Sequence, residues 1–433
     1  MVDWRRWTSG RAALLVVMAL AGTMVLASYL SKTPCSGPPY DEWGYSRNLA
    51  NSYRLVCVTD IQYLWVGRGI DLHEMPYIRG DLQPAADPPG TLINGAVEYP
   101  VLTGLFMWAT ALPADNSGEF LGWSAVFLLP VALAIAWQLV TLVGWRALIW
   151  AAAPAMVFYS VYNWDLLPVA WTLGAVLAWR SRRFGLSAAC LGLGAATKIY
   201  PGFFLLPLFI ERLVARDRRG AALVAGAGAG AWLAANGPFM AINFKGWWAT
   251  YAFQAGRPVN LDGNSIYEWG FPDWTTETVD RFSVAVIAIG WLVALVAGWF
   301  VARRTGGAYP WVQVGTAMLC VFLAFNKVYS PQYFMWVLPL LALVRVRWGW
   351  WVAGWCIDAV LFIGIIRLFD DGGDSLARQA ASIGSWGKSL LLMLLFFVVL
   401  GARLAVDPHP ARATSPPAAP DPVGGAAPAL GIA

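Results

Sequence analysis

Three residues of this chain have the type and the setting to act on a charged, lipid-borne substrate: Asp60 in VCVTDIQYLW, Lys198 in GAATKIYP and Lys327 in FNKVYSPQYF. A carboxylate just outside a membrane helix is a surface group or a general base that takes a proton from a hydroxyl. A lysine inside a hydrophobic stretch is expensive and needs a partner. Lys198 therefore has two readings. It snorkels to the outer interface or pairs with Asp165 or Glu98, or it is a cation for a lipid phosphate in a cavity open to the outer leaflet. Lys327 sits at the outer end of another apolar segment, and two cations from separate helices at similar depth suit a phosphate better than one.

Weaker candidates surround these three. Asn163-Trp164-Asp165 makes a tight turn in which Asp165 is the N-cap of the next helix or part of the same polar face as Asp60. Glu98-Tyr99-Pro100 opens an apolar helix, so Glu98 is a first-turn acid or a ligand for a sugar hydroxyl. The segment 244–281 carries Arg257, Asn260, Asp262, Asn264, Tyr267, Trp269, Asp273 and Trp274. Rings mixed with amides and carboxylates suit carbohydrate, and a solvated loop has a similar composition. The only histidines are His73 and His409, and no Cys/His spacing implies a metal. No cofactor is implied.

The elements that position these residues are membrane helices. Hydrophobic residues make up 58% of the 433, charged residues 13%, and mean hydropathy is +0.56; a soluble domain carries about twice that charge. The length leaves room for roughly 10–13 spans, and many of the 26 Trp fall near segment ends, as interfacial belts do. The net charge of +5 reads as loop asymmetry and not as a nucleic-acid signal. The N-terminus MVDWRRWTSGR puts positive charge before an apolar run, which reads as a retained signal-anchor rather than a cleaved signal peptide. Spans are expected near 12–30, 120–143, 147–161, 165–180, 184–197, 201–213, 220–243, 282–302, 309–326, 332–346, 348–367 and 386–403.

Arginine clusters at 180–183, 212–219, 303–304 and 345–347 mark the inside loops. This predicts residues 1–11 inside, a transmembrane domain over 12–406, outside loops at 31–119 and 244–281, and a disordered inside tail over 407–433. Segment 97–113 must then be a partial helix returning to the outer side. The two arms of 184–213 are each about 14 residues, about 21 Å of helix, so their turn at Thr197–Pro201 lies below the outer surface. Broken backbone at that depth must face protein or a watery cavity. Cys190, Cys320 and Cys356 lie in apolar segments and read as buried packing residues. Cys35 and Cys57 share an outside loop, where the compartment permits a disulfide. A transporter would also place charges at broken helices, but no repeated halves are visible and the charge gathers on one face.

In order along residues 12–346, the pieces TDIQYLW, EYPVL, NWD, GLGAATKIYPGFFLLP and NKVYSPQYFMWVLPLL resemble a known group. The chain is similar to GT-C glycosyltransferases of family 87, the actinobacterial enzymes that use polyprenyl-phosphate sugars. The resemblance implies an all-α GT-C fold of about twelve transmembrane helices in the cytoplasmic membrane, with the active site facing outside. It implies inverting transfer of a sugar from a polyprenyl monophosphate to a cell-envelope glycolipid or polysaccharide. Asp60 then maps to the acceptor base, and Lys198, Lys327 and Tyr200 to the donor phosphate. Glu98, Tyr99, Asn163, Asp165, Arg257, Tyr329, Ser330, Gln332 and Tyr333 map to the sugar or acceptor cavity. The stretch NKVYSPQY contains no His, which leaves arabinofuranose open behind mannose as the donor sugar. No Asp-x-Asp lies near Asp60, so no metal is implied. The competing reading is a transporter or flippase of a lipid-linked sugar.

Overall fold

The computed structural model describes residues 4–85, 89–261, 264–370 and 375–406. Asp262, His409 and the tail expected over 407–433 lie outside the described residues. The chain opens with α1 (Trp4–Lys32), which carries the apolar run and stops where Pro34 enters a 3₁₀ turn over Thr33–Cys35. The first connection is long but structured. It holds α2 (Asp60–Gly67), a two-stranded antiparallel hairpin of β1 (Asp81–Gln83) and β2 (Thr91–Ile93) with Leu82 opposite Leu92, and α3 (Val101–Ala111). Gly69 takes a left-handed φ of 63° after α2, where a side chain would be strained.

Next come α4 (Ser117–Val143), capped by the Asn116 side chain accepting from the Glu119 amide, then α5 (Leu148–Ala151) and α6 (Pro154–Tyr159). The single span expected over 147–161 is thus two short pieces. Pro154 lacks a donor and pushes Ala153 into an extended conformation, ψ 137°. The two short arms expected over 184–213 follow α7 (Leu166–Arg180) as α8 (Phe184–Ala195), a 3₁₀ turn over Tyr200–Phe204, and α9 (Leu205–Val214). The chain continues as α10 (Arg218–Ile242), α11 (Phe244–Gly256), α12 (Ile266–Gly270), α13 (Thr276–Thr305), α14 (Trp311–Phe325), α15 (Phe334–Leu343), α16 (Trp348–Asp370) and α17 (Ser375–Gly401). The segment 244–281 therefore contains helix where sequence predicted loop, because Asn243 caps α11 by accepting from the Gly246 amide.

Among the described residues, five segments are long and apolar enough to cross a membrane: Gly10–Cys35, Ser117–Ala151, Thr276–Thr305, Trp348–Asp370 and Ser375–Gly401. The protein is a multi-pass membrane protein. The other apolar helices, α3, α7, α8, α14 and the Pro331–Leu343 run, are shorter. Helix α3, at 11 residues, is about 16 Å long against a bilayer core of about 30 Å. Helix α15 is the hub, with every residue from Phe334 to Leu343 buried. Its last carbonyls are capped by Arg146, which donates to Ala342 at 3.1 Å and to Val344 at 2.8 Å. Helix α17 begins eleven residues before the span expected at 386, since small residues let it lie against α16. A side chain on Gly364 would strike the Ala381 backbone, and one on Gly384 the Leu361 backbone. Cys190 and Cys320 are buried, but Cys356 is exposed on α16, contrary to expectation: an apolar helix has a lipid-facing side as well as a packed one.

Candidate active site

Asp60 owes its place to anchors on both sides. Upstream, Cys57 is joined to Cys35 in a buried disulfide, Cα–Cα 6.0 Å, which ties the segment to the end of α1. Immediately before it, the Thr59 hydroxyl donates to the Val161 carbonyl (3.1 Å) and the Tyr162 carbonyl (2.9 Å), and immediately after it the Ile61 amide donates to the Tyr162 carbonyl (3.4 Å). The Gln62 amide group donates to the Cys35 carbonyl at 3.3 Å. The first residue of α2 is thereby fixed beside the Tyr162–Asp165 turn, half-buried, with its carboxyl facing a cavity of about 1280 Å³. Burial, then the neighbouring Glu98 carboxylate, push the Asp60 carboxyl up to about 7; Lys198 pulls it down, Asp165 adds to the rise, and Asn163 opposes it. A carboxyl so placed is poised to accept a proton near neutral pH.

The cavity is lined by Asp60, Glu98, Tyr99, Lys198, Arg257, Lys327, Ser330, Gln332 and Tyr333 among others. Four further candidates stand behind its wall. Asp165 is 2% exposed; its Oδ1 accepts from the Lys198 ammonium at 3.0 Å and from the Trp336 indole at 3.1 Å. It sits at the start of α7 but makes no side-chain cap, so the pairing and not the capping reading describes it. Asn163 is buried and its Oδ1 accepts from the Asp165 amide at 2.9 Å. Tyr200 is buried, accepts from the Thr172 hydroxyl at 3.3 Å and stacks on Trp336 at 4.5 Å. Tyr329 is buried edge-on to Tyr333 at 5.8 Å.

Lys198 sits in an aromatic box. Its ammonium lies 4.9 Å from the Tyr99 ring centre, 5.2 Å from Tyr333 and 5.6 Å from Trp336, contacts that favour a desolvated cation. Lys327 is also paired, with Asp280 at 2.7 Å, and donates to the Ala255 carbonyl at 2.7 Å. Glu98 precedes α3 rather than opening its first turn; it pairs with Arg68 at 2.6 Å. Among the described residues, no carboxylate lies within ion-pair distance of Arg257, which lines the same cavity. Sequence reasoning missed Arg68 and Asp280, because each is linked to the site only by a tertiary ion pair. No group of three or more His, Cys, Asp or Glu among the described residues is placed to hold a metal.

Two apolar stripes flank this polar centre. On α13, Val284, Ile287, Ala288 and Trp291 face the cavity at helical spacing, with Asp280 and its partner Lys327 at their N-terminal end. On α16, Phe362, Ile365, Ile366 and Phe369 do the same beside Tyr159 and Tyr162. The arrangement can hold a charged head group, a polar ring and two hydrocarbon chains in one enclosure.

No family model matches this chain, and neither does any curated protein at a significant level. Among solved structures, it is similar to the crystal structure of ArnT from Cupriavidus metallidurans bound to undecaprenyl phosphate, with 15% identity, covering 89% of this chain and 77% of that one, at a TM-score of 0.39. A likeness of that size leaves fold family and chemistry to be argued from this chain's own residues.

Proposed function

We propose that this protein is a GT-C-type membrane glycosyltransferase of family 87. It moves a sugar from a polyprenyl monophosphate to a lipid-anchored glycan at the outer face of the cytoplasmic membrane. The observation that carries this reading is one large cavity whose lining holds Asp60, Lys198, Lys327 and Arg257 beside an apolar stripe on α13. The polyprenyl chain lies along Val284–Trp291, which puts the phosphate near Lys327 and Arg257, with Lys198 completing the positive wall. Asp280, 42% exposed, is the partner that Lys327 exchanges for phosphate. The stripe on α16 takes the acceptor's hydrocarbon and favours a glycolipid over a free polysaccharide.

In the transfer, Asp60 takes the proton of the acceptor hydroxyl as its oxygen bonds to the anomeric carbon. The bond from that carbon to the phosphate oxygen breaks, and the electron pair leaves with polyprenyl phosphate. Charge grows on the phosphate in the transition state, where preorganised cations stabilise it most. Base and leaving group on opposite sides of the ring give inversion. The donor sugar is mannose or, second, arabinofuranose. Glu98, Tyr99, Ser330, Gln332 and Tyr333, which line the cavity, contact its hydroxyls, while Asn163, Asp165, Tyr200 and Tyr329 act from behind them.

The test is genetic and chemical. Deleting the gene removes a sugar from an envelope glycolipid. Wild-type protein restores it, and Asp60→Asn at equal membrane level does not. Restoration by Asp60→Asn overturns the assignment of the base, and an unchanged glycolipid profile in the deletion strain overturns the transferase.

A further inference from the structure

Away from the cavity, α16 and α17 bury two ionisable side chains between them. Asp358 and Lys388 are each 4% exposed and face one void of about 10 Å³, together with Tyr329, Phe334, Leu361 and Leu391. That volume is close to the least that admits one water. The two side chains form no direct ion pair within 4.0 Å; each is held instead by a different tyrosine. The Tyr159 hydroxyl donates to Asp358 Oδ1 at 3.1 Å. The Lys388 ammonium lies 3.8 Å over the Tyr329 ring and donates to the Asn264 carbonyl at 3.3 Å. Ser385 and Ser389, one turn before and one residue after Lys388, are buried with hydroxyls that make no hydrogen bond among the described residues.

Helix packing alone does not call for this arrangement. Glycine and alanine already bring the two backbones into contact, and apolar residues of the same size would seal the void at lower cost than two buried ionisable groups. The two tyrosines supply the missing reason. Tyr159 lines the main cavity on the side of Tyr162 and Asp60. Tyr329 backs the loop that carries Lys327, Ser330 and Gln332, and packs on Tyr333, which walls Lys198 at 5.2 Å. The base-bearing wall and the cation-bearing wall thus converge on one buried pair.

We propose that Asp358 and Lys388, bridged by one water, are positioning residues that clamp the two walls of the cavity at their working separation. The consequence for catalysis rests on the transferase reading; the clamp itself does not. Because the reacting centre tolerates little misplacement, loss of either polar side chain lowers kcat by on the order of tenfold, with a smaller change in the donor KM.

The experiment reads the wall directly and apart from activity. Ser330→Cys is introduced in a Cys356→Ser background, which removes the exposed free thiol, and its labelling by a polar maleimide is timed in purified full-length protein. Asp358→Asn and Lys388→Met are each expected to speed labelling several-fold, and the double variant to match either single, as for residues that act as one unit. Unchanged rates in the singles, or effects that multiply in the double, overturn the clamp. Where a single variant fails to fold, Tyr159→Phe, which removes only the hydroxyl given to Asp358, replaces it with the same expectation and the same refutation. Faster labelling without any sugar transfer by the parent protein would refute the transferase and leave the clamp standing.

Discussion

Asp60 makes a quantitative prediction because the feature that suits it as a base also burdens the fold. Its carboxyl is pushed from 3.8 to about 7, first by burial. The native state then holds a proton that the unfolded chain has already lost. Stability is full below the unfolded pKa and is lost as pH rises from about 4 to about 7. A shift of this size corresponds to about 4 kcal/mol, and because the carboxyl faces a water-accessible cavity, about 2 kcal/mol is the fairer figure. Asn carries no such charge. Asp60→Asn is therefore expected to abolish transfer and yet to be more stable than wild type by about 2 kcal/mol at about pH 8, with the gap closing by about pH 4. In the wild-type enzyme, kcat/KM should fall about tenfold per unit below about pH 7 as the base is protonated. The assays are thermal unfolding of purified protein in lipid nanodiscs across that range, and donor turnover in the same discs. A variant less stable than wild type at high pH, or a flat kcat/KM between about pH 5 and 7, refutes the reasoning.

Removing one partner of a buried ion pair leaves a charge stranded, so Asp165→Asn should destabilise by about 3 kcal/mol or more; a Lys198→Met second change should recover part of that in thermal unfolding, and simple additivity would argue against the pairing. The disulfide closes a separation of 22 residues, which in the chain-entropy account is worth about 3 kcal/mol. Cys35→Ser with Cys57→Ser should lower the melting midpoint and slow transfer, because Asp60 loses its upstream anchor; an unaltered midpoint contradicts this. Arg257→Ala should raise the donor KM by about tenfold, as expected for a lost charge-assisted contact; an unchanged KM would place the phosphate elsewhere.

The membrane class and the broken segment around Lys198 are legible in the chain because both rest on local pattern, a hydropathy run and short arms between basic loops. That Asp60, Lys198 and Lys327 meet in one cavity follows from placing their loops on one face. What local pattern cannot carry is pairing. Arg68 finds Glu98 and Lys327 finds Asp280 only once the helices are packed, and packing settles the partner of Lys198 as Asp165 rather than Glu98. Tyr200 follows Lys198 closely in sequence, but the 3₁₀ turn aims it behind Trp336 and away from the cavity. Helix α11 reads as a loop because its aromatic and amide residues lack a clean apolar stripe, and its outer face keeps Phe244 and Trp248 exposed.

The central claim is that this cavity forms a new glycosidic bond and does not merely move a lipid. The most direct measurement uses purified protein in sealed liposomes with a polyprenyl-phosphate sugar, labelled in the sugar, and a glycolipid acceptor on the same face. Wild type should yield labelled glycolipid of inverted anomeric configuration, Asp60→Asn should yield none, and the remaining donor should stay in its leaflet. Donor crossing to the far leaflet with no labelled glycolipid, equally in wild type and Asp60→Asn, would contradict the account.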